Sequence, residues 1–183
     1  MLRSLAIRTS IALCWLMIAL FGGCATQSAP PDALTELLAL IDQRLAISED
    51  VARSKWNSGA AIEDLKREGE IVEDIRRQAP AFGLDAAATA AFFQAQIEAS
   101  KIVQRTRLAG WRAAALPAFA HTADLQRDIR PRLDRLTTAL MTALARVQPA
   151  LRTQQAAARL NEYATDDARA AAIAPLRRQP ARN

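Results

Sequence analysis

The stretch "LIDQRLAISEDVARSKW", from Leu40 to Trp56, carries Arg44 and Lys55 in a sequence that is otherwise typical of an amphipathic helix. Arg44 and Lys55 are eleven residues apart, and at about 3.6 residues per turn this spacing makes almost three whole turns. Both side chains therefore lie on one face of an unbroken helix. Two interpretations are open: they are ordinary solvated charges, or they form one side of a positively charged binding surface.

The composition predicts an all-α protein. The chain has 183 residues, of which 51% are hydrophobic and 5% aromatic, enough apolar material for the core of one domain. Ala, Leu, Arg, Gln and Glu dominate long stretches, whereas β-branched runs are rare, and this favours helix over strand. Because the sequence has no internal repeat or heptad run, we expect a compact bundle of about six helices.

Apolar periodicity, capping residues and prolines predict where these helices begin and end. A long helix that begins after a proline pair, for example, has Asp32 as its expected N-cap. We expect a first helix from Asp32 to about Asn57, a second from about Ile62 to the stop at Pro80, a third from Asp85 to about Trp111, a fourth from about Ala123 to Val147 with Pro131 near its early turns, a fifth after Pro149, and a sixth capped by Asp166 or Asp167.

The N-terminal residues are typical of an export signal. Arg3 and Arg8 precede an apolar run over residues 11–21 that contains no acid and is too short to span a bilayer comfortably. We therefore predict a signal peptide over residues 1–23, a flexible tether over residues 24–31 and a periplasmic location. Cys24 follows "LFGG", which resembles a lipobox, so the protein is expected either as a lipoprotein anchored through lipidated Cys24 or as a soluble product of ordinary cleavage.

Charge and residue counts exclude several classes of function. The formal net charge of +5 falls to +3 when a signal containing Arg3 and Arg8 is removed, and acids alternate with the remaining arginines. We therefore expect no nucleic-acid partner. His121 is the only histidine and the cysteines form no ligand cluster, so no metal site is predicted. The sequence also lacks a G-x-S-x-G elbow and a glycine-rich phosphate loop.

Polar residues on the second and third predicted helices form two groups. Asp64, Arg67 and Glu68 have the i, i+3, i+4 spacing of ordinary intrahelical ion pairs. Ser100 and Gln104 share a face of the third helix, where they interrupt an apolar stripe and therefore need polar partners. Three helices could aim these groups and the two cations of the first helix at one point. Such a site suits a small dianion and offers no evident nucleophile.

The segments "LIDQRLAISEDVARSKW", "IEDLKREGEI" and "FFQAQIEASKIVQRTRLAGW" together are similar to the AroQ class of chorismate mutases. With the export signal and the additional C-terminal helices, the chain resembles the secreted gamma subclass. The resemblance covers roughly Leu37 to Trp111. It implies an AroQ-type helical domain over residues 32–112, C-terminal helices over residues 113–183 that complete the pocket, and conversion of chorismate to prephenate without a cofactor.

The resemblance also implies roles for the cations and the amide. Arg44, Lys55 and Arg67 match the cations that hold the substrate. Lys55 and Gln104 match the residues that donate to the ether oxygen, where negative charge accumulates as the C–O bond breaks. The resemblance therefore implies Lys55 and Gln104 as the catalytic residues.

The remaining site residues implied by the resemblance come from three helices. Asp64 matches an acid at the start of the second helix, Glu68 the carboxylate that accepts from the ring hydroxyl, and Ser100 a hydroxyl that contacts a substrate carboxylate. In the secreted subclass a further arginine comes from the fourth helix of the same chain. Arg130 best matches its local pattern, with Arg127 as the competing choice.

Two alternative functions remain open at this point. The chain could be a non-catalytic helical envelope lipoprotein or adaptor that binds a partner through its amphipathic surfaces, or an isochorismate pyruvate lyase on the same fold.

Secreted members can carry glutamate at the Gln104 position and glutamine at the Ile71 position, whereas this chain resembles the short cytoplasmic members there. Secreted relatives also imply a homodimer in which each pocket is complete within one chain.

Overall fold

A computed structural model describes residues 32–178 and contains six α-helices and no strand in that range. The helices are α1 (Ala33–Ser58), α2 (Leu65–Gln78), α3 (Ala86–Ala113), α4 (Arg130–Val147), α5 (Gln154–Tyr163) and α6 (Asp167–Arg177). The prediction of an all-α bundle is confirmed. The predicted signal peptide, Cys24 and the predicted tether lie outside the described residues. Within residues 32–178, no helix has the length and apolar character needed to cross a membrane.

Capping by aspartate sets where most of these helices begin. Asp32, Asp85 and Asp166 each accept hydrogen bonds from backbone N–H groups in the first turn of α1, α3 and α6. The second helix begins later than predicted, at Leu65 rather than near Ile62. The chain cannot be helical earlier because Asp64 is itself the N-cap of α2. The carboxylates that the sequence places before helices therefore act as caps.

The start of α4 also differs from the prediction of one helix from Ala123. A π-helical turn, Leu125–Ile129, comes first, and α4 begins at Arg130. Pro131 then stands in the first turn of α4 and has no backbone N–H to donate, so the regular α-helical hydrogen-bond pattern is interrupted where the π-helical turn meets α4. Ile129 is fully buried and anchors this turn on α1.

The two longest helices, α1 and α3, pack on each other and form the centre of the bundle, with α2 and α6 against α3 and with α4 against α1. Their first halves contribute the main apolar core, which includes Leu37, Ile41, Phe92 and Phe93. The rings of Phe92 and Phe93 meet edge to face at 5.3 Å. Polar residues of the two helices follow this core, from Arg44 onward in α1 and from Ser100 onward in α3, and there α2 and the start of α4 cover them.

Candidate active site

A cavity of about 250 Å³ lies between α1, α2, α3 and the start of α4. All eight site residues predicted from the sequence line it: Arg44, Lys55, Asp64, Arg67, Glu68, Ser100, Gln104 and Arg130. Lys101 and Asp134 are also part of the lining. Five cations and three carboxylates therefore face the cavity, an excess of two positive charges. Such a lining favours a small ligand with two negative charges.

Arg44 is the most buried cation of the cavity, with 6% of its surface exposed. Its Nε and Nη1 atoms have no hydrogen-bond partner among the described residues. Burial lowers the pKa of the guanidinium to about 10, and the negative charge of Asp134 on α4 opposes that shift. Arg44 is thus still a cation at neutral pH. A ligand carboxylate would satisfy its unpaired donors with charge-assisted hydrogen bonds.

Lys55 lies at the same cavity, three turns further along α1. Its Nζ atom donates to the carbonyl of Ile62 at 2.7 Å. Because an ammonium has three donors, others remain for a ligand. Burial lowers the pKa of Lys55, and the negative charges of Glu68, Asp64 and Glu63 oppose that shift. The sequence-based expectation that Arg44 and Lys55 share a face of α1 is confirmed.

Ser100 and Gln104 on α3 are joined in one hydrogen-bonded group. The Nε2 atom of Gln104 donates to Ser100 Oγ at 3.0 Å, and Ser48 Oγ on α1 lies 2.8 Å from the same oxygen. Gln104 is buried, and its amide keeps a second N–H for a ligand. Ser48 was not among the site residues predicted from the sequence. Its position four residues after Arg44, on the same helix face, is the signal that could have revealed it.

The first turn of α2 corrects one sequence-based interpretation. Asp64, Arg67 and Glu68 do not form intrahelical ion pairs with each other. Asp64 caps the helix by accepting from the backbone N–H of Arg67 at 3.1 Å, and the Arg67 guanidinium pairs instead with Glu70 at 3.4 Å. Glu68 pairs across the cavity with Lys101 of α3 at 3.0 Å. The i, i+3 ion pair between Asp64 and Arg67 does not form because the Asp64 side chain caps the helix and the Arg67 guanidinium pairs with Glu70.

The start of α4 separates the two candidate arginines. Arg130 lines the cavity and donates to the side-chain oxygen of Gln126. The side chain of Arg127 is 83% exposed and lies 3.7 Å from Asp124, outside the cavity lining. The buried side chain of Ile129 orients the turn so that the following residue faces α1. The geometry therefore favours Arg130, the choice made from the sequence.

Comparisons with known proteins point to one family. The family model described as chorismate mutase type II matches residues 35–105. A secreted chorismate mutase of Mycolicibacterium smegmatis is 31% identical over 137 residues, which cover 73% of this chain and 75% of that protein. The chain belongs to the chorismate mutase family. A secreted chorismate mutase of Yersinia pestis is 29% identical over 106 residues, 58% of this chain and 56% of that protein.

Solved chorismate mutases share the fold. The chorismate mutase of Burkholderia thailandensis matches with a TM-score of 0.72 at 38% identity, covering 79% of this chain and 98% of that one. The chorismate mutase of Burkholderia phymatum matches with a TM-score of 0.70 at 30% identity, covering 79% and 96%. The resemblance to secreted AroQ chorismate mutases is confirmed. The word secreted in the names of the two sequence relatives also supports export.

Proposed function

We propose that this chorismate mutase family member converts chorismate to prephenate in the cavity between α1, α2, α3 and α4. One observation carries the proposal: Arg44 is a buried cation with two donor atoms that have no partner within residues 32–178, and it lines a cavity that also holds Lys55 and Gln104. Chorismate has two carboxylates, which match the excess of two positive charges in the cavity lining. The family membership and the site chemistry point to the same substrate.

The reaction itself explains why these residue types suffice. Rearrangement of chorismate is pericyclic, so it needs no proton transfer and no covalent intermediate. Catalysis must then come from holding the compact, chair-like conformer and stabilising the charge that develops as the ether bond breaks. Arg44, Arg67 and Arg130 suit the first task because guanidinium groups bind carboxylates in a fixed planar geometry and keep their charge.

Lys55 and Gln104 suit the second task. Negative charge accumulates on the ether oxygen in the transition state, and both residues have spare donors directed at the cavity. Their hydrogen bonds strengthen along the reaction coordinate, which raises the rate rather than only tightening substrate binding. We therefore assign Lys55 and Gln104 as the catalytic residues.

The remaining lining residues orient the substrate and the cations. Glu68 accepts a hydrogen bond from the ring hydroxyl of chorismate, and Ser100 donates to a substrate carboxylate. Asp64 acts in two ways: it caps α2, which carries Arg67 and Glu68, and its negative charge helps to keep Lys55 protonated. Each of these roles places a polar group where the bound substrate offers a complementary one.

One assay tests the proposed function against both alternatives. The purified mature protein is incubated with chorismate and, separately, with isochorismate, and the products are identified. We expect prephenate from chorismate, and an Arg44→Met variant of unchanged helix content should form far less. Pyruvate from isochorismate without prephenate would instead identify a lyase. No product from either substrate would favour the non-catalytic adaptor.

We further propose a domain division and a location. Residues 1–23 form a signal peptide and residues 24–31 a tether; residues 32–112 form the AroQ-type domain, and residues 113–183 complete the pocket. The mature protein acts in the periplasm, either soluble or anchored through lipidated Cys24. Labelling with a radioactive fatty acid tests the anchor, with Cys24→Ala as the control. Loss of label in that variant supports it, and an unlabelled wild-type protein contradicts it.

The oligomeric state is a separate proposal. We expect a homodimer, as the resemblance to the secreted subclass implies. We expect each pocket to be complete in one chain because residues of α1, α2, α3 and α4 of a single chain line the cavity. Light scattering after gel filtration measures the mass, and titration of activity against protein concentration tests the independence of the pockets. A monomeric mass would contradict the dimer. Loss of specific activity on dissociation would contradict complete pockets.

A further inference from the structure

Lys101 is a buried cation of the cavity to which the mechanism above gives no role. It lies on α3, lines the cavity and is 6% exposed. Its Nζ atom contacts Glu68 Oε2 at 3.0 Å and Glu98 Oε1 at 2.7 Å. Burial opposes the charge of this ammonium, but hydrogen bonds to Glu98 and Glu68 raise its pKa above the usual value. A buried charge is costly unless it is paired, so this position needs a reason.

The packing of α2 supplies that reason. Ile75, near the C-terminal end of α2, is the one residue of this helix that is buried. Polar contacts hold the other end of α2, which carries the site residues. Arg105 pairs with Glu63 just before α2, but both side chains are 49% exposed. The Lys101–Glu68 pair is the sheltered one, with side-chain exposures of 8% and 13%. It is therefore screened least by solvent.

The carboxylate of Glu68 is held from two sides. Its Oε1 atom accepts from the backbone N–H of Asp64 at 3.1 Å, and its Oε2 atom accepts from Lys101. Two fixed oxygens leave the carboxylate little freedom to rotate. Each oxygen still has a lone pair, so the group can accept one more hydrogen bond from a ligand. Lys101 thus immobilises the carboxylate without using all of its acceptor capacity.

We propose that Lys101 is a positioning residue for the reaction. It holds Glu68, and with it the first turn of α2, in the orientation that accepts the ring hydroxyl of the substrate. This inference rests on the proposed function, because the hydroxyl belongs to chorismate. Lys101 acts through Glu68, whereas Lys55 and Gln104 act on the breaking bond. Glu98, whose side chain is 45% exposed, supplies only a second counter-charge.

The test is a double-mutant cycle in the full mature chain. Lys101→Met should lower kcat/KM for chorismate by about tenfold to a hundredfold, the scale of a misplaced reacting geometry. Glu68→Gln should lower it by a similar factor, and the double variant should lose little more than Glu68→Gln alone. Lys101→Arg should recover part of the activity. Arg105→Met is the matched control, since it removes an ion pair that joins α3 to the segment just before α2, outside the cavity, and we expect unchanged kinetics.

The outcomes separate this inference from the proposed function. If the wild-type chain forms prephenate but Lys101→Met and Arg105→Met have the same kinetics, the positioning role of Lys101 is refuted and the proposed function is not. Multiplying losses in the double variant would also overturn it, since Lys101 would then act independently of Glu68. A wild-type chain that forms no prephenate refutes the proposed function itself. If Lys101→Met does not fold, Lys101→Arg is measured in the wild-type chain and in the Glu68→Gln variant. Lys101→Arg should lower kcat/KM in the wild-type chain and should have no further effect in Glu68→Gln. A further fall in kcat/KM in Glu68→Gln would contradict the inference.

Discussion

The α1–α3 pair buries apolar side chains at one end and polar side chains at the other, and the two kinds of burial have opposite effects on stability. In the first halves, Leu37, Ile41 and Phe93 are fully buried among other apolar side chains. Further along the same helices, Arg44 near the middle of α1 and Gln104 in the second half of α3 are also buried, yet each has polar atoms with no partner among the described residues. Apolar burial stabilises the fold, whereas buried unpaired polar groups oppose it. One end of the bundle therefore provides the stability that allows the other end to be preorganised for a ligand.

Gln96 lies between the two halves and shows how they differ. It is a polar residue of α3 with no exposed surface, and its Nε2 atom donates to the carbonyl of Ala172 on α6 at 2.8 Å. This hydrogen bond links two packed helices and does not involve the cavity. Burial of a polar side chain in this protein is thus not by itself a sign of the active site. What distinguishes the cavity is the group of charges that converge there.

The largest effect should come from the apolar end. Replacing Phe93 by alanine should lower the free energy of unfolding by about 3–5 kcal/mol, because it leaves a cavity in a fully packed region. At a temperature where the variant is fully folded, kcat should stay close to that of the wild type. Denaturant unfolding and steady-state kinetics on the same sample measure the two quantities. A large fall in kcat of the folded variant would show that the two ends are not separable.

Lys55→Ala should have the opposite effect to Phe93→Ala: it should lower activity and leave stability nearly unchanged. We expect kcat/KM to fall by about a hundredfold or more, the scale for removing a donor to the transition state. The midpoint of thermal unfolding should change little, since the described hydrogen bond of the ammonium is a single contact to the Ile62 carbonyl. Lys66→Ala, on the exposed side of α2, is the control and should behave like the wild type. Near-normal turnover in folded Lys55→Ala would remove this residue from the mechanism.

Gln104→Glu should make activity depend on acid. The neutral amide donates at any pH, so the wild type should have a broad profile from acid to neutral pH. A carboxyl at this position donates only when protonated, so kcat/KM of the variant should fall as the pH rises through the pKa of the new group. Initial rates from about pH 3 to about pH 8, a range that spans both the ordinary glutamate pKa of about 4.3 and a pKa raised by burial, measure the difference. Matching profiles for the two proteins would contradict donation by Gln104.

A smaller effect distinguishes the two arginines at the start of α4. Arg130→Ala should raise KM by about tenfold, the scale of one lost hydrogen bond to a charged group. Arg127→Ala should stay within about twofold of the wild type, because surface substitutions of this kind have small effects. Substrate saturation curves for the two variants provide the comparison. A larger rise in KM for Arg127→Ala would reverse the assignment.

Several parts of this site were accessible from the sequence because they depend on local geometry. The spacing between Arg44 and Lys55 places both on one face of any regular helix, and a carboxylate such as Asp85 before an apolar run caps a helix in most contexts. Lys101 was not recognised, although its position beside Ser100 puts it next to a predicted site residue. Its role depends on a partner 33 positions away along the chain.

By itself, the sequence determined the helical class, most helix ends and the residue types that line the cavity, because periodicity, capping and spacing act within a few turns. The tertiary structure decided which partners those residues take. In the folded chain Asp64 caps α2, and Glu68 pairs with Lys101 of α3. Ile129 is buried against α1, and Arg130 rather than Arg127 lines the cavity. These choices depend on how helices pack and on a π-helical turn that shifts the register, which no local pattern encodes.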